Sequence, residues 1–89
     1  RVLSAKVRAA AAKSDEFLAD LAAAEADKRF AAKAGTLAGQ WRDIREIAKR
    51  ADSADPIALR ASVRTLNTLV ADSHTLKYTY LMEKLFDDE

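Results

Sequence analysis

The sequence has no cysteine, one histidine, one proline and two glycines in 89 residues. Each shortage excludes something. Without cysteine, disulfides cannot supplement the core, and neither a Cys-His zinc site nor a thiolate nucleophile can be built; the absence leaves the redox compartment undecided. Sheet proteins draw their turns from glycine and proline, which average about 7% and about 5% of residues, so their scarcity predicts an all-α fold. Charge of one sign is also missing. Fifteen basic and fourteen acidic side chains give a formal net charge of +1, so no strong field steers a polyanion and nucleic acid is not expected as a partner. No run of about 18 apolar residues occurs, so no membrane-spanning segment is expected. A chain that opens on Arg1 rather than Met is expected to be a mature or trimmed product, its targeting peptide removed.

Catalytic chemistry is equally thin. His74 is the single histidine and reads as a loop or helix-start residue. There is no Glu-x-x-His pair for a di-iron site, no Gly-rich phosphate loop and no EF-hand loop. The closing Asp87-Asp88-Glu89 reads as a solvated acidic tail. It is unfavourable at a helix C-terminus, so the end is expected to fray or to continue. A non-catalytic protein without cofactor or metal is expected.

What is present is helix. Eighty-nine residues make one domain, and a chain this short buries only about 60% of its unfolded surface. Residues 2–33 are alanine-rich and contain neither Gly nor Pro, so they read as one long helix or two in line. Leu3, Val7, Ala10, Ser14, Phe17, Leu21 and Ala24 step alternately by four and three, a seam that packs on neighbours. Ser14-Asp15-Glu16 offers a second start, with Ser14 as N-cap and acids in the first turn. Gly35 is the expected stop and Thr36 the next N-cap.

A second helix is expected over 37–51, with Leu37, Trp41, Ile44, Ala48 and Ala51 on one face. Asp55 caps a third helix over 56–71, and Pro56 sits at its first position, where the missing N–H costs nothing. Asp72-Ser73 reads as a weak break, with Ser73 capping a fourth helix over 74–86. Leu76, Tyr80, Leu81, Leu85 and Phe86 form the apolar face of that helix. The expected core is Trp41, Ile44, Leu59, Val63, Leu66, Val70, Leu81 and Leu85, in an up-down antiparallel bundle of three to four helices.

The surface residues open to a partner are Arg42, Arg45, Lys49, Arg60 and Arg64, as one docking face. A solvated face is the plainer reading of the same charges. Tyr78 and Tyr80 lie two apart and cannot both point inward, so Tyr78 joins the docking candidates.

Three pieces of the chain, in order, resemble one family. Trp41-Arg-Asp-Ile-Arg45 is similar to the Trp-x-x-Val/Ile-Arg that opens the first core helix of the PsbQ-like extrinsic proteins of photosystem II. Pro56-Ile-Ala-Leu59-Arg60-Ala-Ser-Val-Arg-Thr-Leu66 is similar to the next leg, where a Leu-Arg pair leads into an apolar step. Leu66-Asn-Thr-Leu-Val70, followed by Lys84-Leu-Phe-Asp87, is similar to elements of plant-type members. The resemblance covers roughly residues 37–88. It implies a four-helix bundle in the thylakoid lumen, peripheral to the membrane, docked on protein subunits of photosystem II. There it would help retain the calcium and chloride of the oxygen-evolving centre without ligating metal. The alternative is a helical structural or adaptor protein that mediates protein–protein assembly outside photosynthesis. A nucleic-acid-binding bundle would rest on the same arginines, and the balanced charge weighs against it.

Overall fold

A computed structural model describes residues 2–87; Arg1, and the Asp88 and Glu89 of the acidic close, lie outside the described residues. The described residues form four helices and no strand: α1 Val2–Ala12, α2 Ser14–Glu25, α3 Ala31–Lys49 and α4 Pro56–Asp87. The fold is all-α, as the composition predicts.

The four helices make three legs. Only Lys13 separates α1 from α2, and its backbone stays close to helical at φ −96° and ψ −4°. Leg one is therefore α1 and α2 end to end, the second of the two readings left open by the alanine-rich sequence. Ser14 does not cap α2. Its hydroxyl donates back to the Ala11 carbonyl at 2.6 Å, and the side chain is buried. The pairs Arg8–Asp52, Arg45–Asp15 and Phe17–Trp41 set α3 antiparallel to leg one. Lys77–Asp20 and Arg29–Asp87 set α4 parallel to it. The result is an elongated bundle, 52 × 18 × 16 Å.

The first reversal is not at Gly35. It lies at residues 26–30, between α2 and α3, and Asp27 builds it. One Asp27 carboxylate oxygen accepts the Arg29 backbone N–H at 2.9 Å, while the Asp27 carbonyl accepts from the N–H groups of Phe30 and Ala31. An aspartate that bonds the backbone two residues on makes the turn without glycine. Gly35 and Gly39 sit inside α3 with ordinary negative φ, and Thr36 bonds the Ala32 carbonyl rather than capping. At the second reversal Asp55 and Pro56 act as expected. The Asp55 carboxylate accepts the Ile57 N–H at 2.8 Å, and the Asp55 carbonyl accepts from Leu59.

The expected break at Asp72-Ser73 is absent, because α4 runs unbroken for 32 residues. Its inward seam is Leu59, Ser62, Leu66, Leu69, Ser73, Leu76 and Tyr80, all buried or half-buried. The expected core residues of this helix lie partly off that seam. Leu59 is buried, and Val63 and Leu66 are half-buried against the core. Val70 and Leu81 each stand one residue beyond a seam position, rotated about 100° outward, and are exposed. Leu85 and Phe86 are exposed as well. A hydroxyl at Ser73 hides the seam from a purely apolar count.

The core centres on α3. Trp41 is fully buried and shares the core cluster with Ile44, Leu21, Val7 and Leu69. Phe17 stacks on the Trp41 ring at 4.5 Å between centroids and 11° between planes. The indole N–H donates to the Ser73 hydroxyl at 2.9 Å, so the one polar atom of the largest core side chain is satisfied. Tryptophan thus ties all three legs together.

Candidate functional site

Helix α3 carries Arg42, Arg45 and Lys49 along one edge of its buried stripe, and all three are exposed. Arg45 reaches Asp15 of α2 at 3.2 Å, and Lys49 reaches Glu46 at 2.9 Å. That lysine, through a hydrogen bond and its charge, holds the Glu46 carboxyl below its ordinary range. Arg45 and Lys49 also line a shallow groove with Arg8, Ala11 and Ala12 of α1.

Arg60 and Arg64 stand one turn apart on α4, both exposed. The groove between α3 and α4 is lined by Gln40, Asp43, Ile44, Ala61, Ser62 and Thr65, with none of the five cations in it. The expected single basic face therefore divides. Arg45 and Lys49 border α1 and are engaged in ion pairs. Arg42, Arg60 and Arg64 make no ion pair with any described residue, and they lie on the second half of α3 and the first half of α4. An unpaired guanidinium keeps its fork of donors open to a carboxylate.

Tyr78 belongs to a different place. A line of rings runs from the core to the surface: Trp41 on Phe17, Phe17 edge-on to His74 at 5.2 Å, and His74 against Tyr78 at 6.4 Å. Tyr78 is exposed at its outer end, while Tyr80 is half-buried, edge-on to Phe30 at 5.8 Å. One tyrosine faces in and the other out. His74 is thus part of a packed helix rather than of a loop or helix start.

The densest charge cluster sits where the Asp27 turn meets the end of α4, two segments 58 residues apart in the chain. Arg29 pairs with Asp27 and Asp87 at 2.7 Å each and reaches Glu83 at 3.9 Å. Hydrogen bonds from the Arg29 side chain and backbone hold the Asp27 carboxyl down to about 2. The Arg29 side chain also lowers Asp87, and the two aspartates raise the Arg29 guanidinium above its ordinary value. The only sequence signal was Asp27 two residues before Arg29. A cation already held by two carboxylates has its donors occupied, so this cluster clamps α4 to the turn.

No group of three or more acidic, histidine or cysteine side chains among the described residues could hold a metal ion. No helix among them is long and apolar enough to cross a membrane. In comparisons with protein-family models, curated proteins and solved structures, no match to this chain is found.

Proposed function

We propose that this chain is a non-catalytic docking subunit whose arginines seat it on an acidic protein surface. The observation that carries the reading is the exposed trio Arg42, Arg60 and Arg64, without ion-pair partners among the described residues while neighbouring Arg45 and Lys49 are paired. Forked cations left open on the exposed flanks of α3 and of the first half of α4 suit a carboxylate-bearing partner, and such contacts speed encounter and fix register. The order of the Trp41, Pro56–Leu66 and Lys84–Asp87 motifs supports the lumenal face of photosystem II as that partner. The subunit then acts as a peripheral PsbQ-like cover in the thylakoid lumen, helping retain calcium and chloride at the oxygen-evolving centre.

The test is rebinding to washed thylakoid membranes. The chain is expected to bind at low salt and to leave in about 1 M NaCl, where the Debye length falls to about 3 Å. Arg42→Glu, Arg60→Glu and Arg64→Glu together are expected to abolish rebinding with helicity unchanged. Binding that ignores both salt and the triple substitution would refute arginine docking. No binding to thylakoids at any salt would leave the other reading, a helical adaptor outside photosynthesis.

A further inference from the structure

The last turns of α4 present Tyr78, Leu81, Met82, Leu85 and Phe86 to solvent, between 44% and 66% exposed. Spaced at i, i+3, i+4, i+7 and i+8, they share one face of the helix, opposite the seam that packs on the core. The charged side chains between them are drawn aside. Lys77 is held by Asp20, Glu83 and Asp87 by Arg29, and Lys84 by Asp87. The face between these ion pairs is apolar, and the Arg29 clamp fixes its orientation on the bundle.

Two features identify what covers it. The first is symmetry. Read in either direction the order of residue types is aromatic, leucine, methionine, leucine, aromatic, with the aromatic pair centred on Met82 and the leucine pair one residue further on, so an antiparallel copy can set aromatic against aromatic and leucine near leucine. An isologous two-fold contact requires such a self-complementary patch. The second is area. Five side chains of this exposure offer on the order of 500 Å² per copy, so a pair buries about 1,000 Å² before flanking atoms are counted, the lower bound for a specific interface.

We propose that this chain forms a homodimer through α4, the two copies of the helix antiparallel across a two-fold axis near Met82. Tyr78 of each copy then packs on Phe86 of the other, and Leu81 on Leu85, with the two Met82 side chains filling the centre. Methionine suits that place because its unbranched thioether adapts to an irregular gap. The open arginines lie on α3 and on the first half of α4, outside this contact, so a dimer leaves them free for a further partner.

Sedimentation and light scattering of the isolated chain test the assembly, and an interface at the low end of the size range is expected to give a dimer that dissociates on dilution. Leu85→Glu and Met82→Glu are expected to give monomers with undiminished helicity, because both side chains are solvated within one copy. A chain that stays monomeric to about 500 µM would overturn the proposal. So would a dimer that survives both substitutions.

The absence of native cysteine makes the geometry testable too. Facing helices approach to about 8–10 Å between axes, so the Met82→Cys variant should oxidise to a disulfide-linked dimer by itself. Tyr78→Cys and Phe86→Cys should cross-link when mixed and not alone, since like positions in an antiparallel pair stand about 12 Å apart along the axis. Equal self-linking at both positions would mean a parallel pair and would overturn the antiparallel arrangement.

Discussion

Helix α3 places Leu37, Trp41, Ile44 and Ile47 inside the bundle, whereas the last turns of α4 hold Tyr78, Leu81, Met82, Leu85 and Phe86 toward solvent. The two stretches are similarly apolar. They differ in what surrounds them. Helix α3 has leg one on one side and α4 on the other, so its stripe is covered along its length. The end of α4 meets α2 and the turn that leads into α3, through Lys77, the Arg29 clamp and Tyr80 on Phe30. Its inward face is satisfied there, and a second apolar face is left over. Periodicity fixes the phase of a stripe, while the reach of neighbouring helices decides whether the stripe is core or interface.

The comparison breaks most sharply at its two largest aromatic anchors. Trp41→Ala removes a fully buried ring, its stack on Phe17 and its bond to Ser73. The expected loss is about 3–5 kcal/mol, comparable to the whole stability of a domain this small. Urea unfolding followed by circular dichroism should find the variant largely unfolded. Phe86→Ala in dilute solution should stay within about 0.5 kcal/mol of the parent. If Phe86→Ala lost as much as Trp41→Ala, the end of α4 would be core and the contrast would fail.

Ser73→Ala separates phase from packing more finely. It keeps the seam position and removes the acceptor of a buried indole N–H, so about 1–3 kcal/mol should be lost. In a Trp41→Phe background the same change should cost much less. A double-mutant cycle with no coupling would show that the bond contributes nothing.

These residues also show what the sequence made legible. The all-α class, the Asp55-Pro56 start and the burial of Trp41 all follow from local chemistry that tertiary structure did not override. The seam of leg one was legible too, since four-and-three stepping from Leu3 to Ala24 matches the buried positions. Ser73 was not. A hydroxyl followed by His74 looks like a cap, and only the indole 32 residues away makes it a core residue. Gly35 misled for the opposite reason, as a glycine signals a stop only where the backbone needs positive φ. The open arginines were legible as cations, but their division from Arg45 and Lys49 depended on which acids the other helices bring near.

Gly35 and Gly39 permit a prediction of the opposite sign. Both are helical, and a Cβ at either would meet nothing within 4 Å. Gly35→Ala and Gly39→Ala should each stabilise by about 0.4–1 kcal/mol, by restricting the unfolded chain without disturbing α3. A lower thermal midpoint in either variant would mean that α3 needs closer approach there than the bundle provides.

The smallest expected effect belongs to the clamp that joins the two regions. Asp27 has its carboxyl held down to about 2 by Arg29, from an ordinary 3.8. A carboxyl lowered in the folded state binds fewer protons there than in the unfolded chain, so its stabilising contribution is complete above the unfolded value. It fades as pH falls from about 4 toward about 2, and Asp87, lowered by the same arginine, adds in the same direction. Arg29→Gln should flatten the thermal midpoint over that window while changing it little near neutrality, because exposed ion pairs contribute modestly. Amide exchange should localise the difference. Faster exchange confined to the last turns of α4 would mean that Arg29 orients the outer face without holding the core. Faster exchange spreading to α3 would instead make the clamp part of the same cooperative unit as Trp41, and the two regions would no longer be separable.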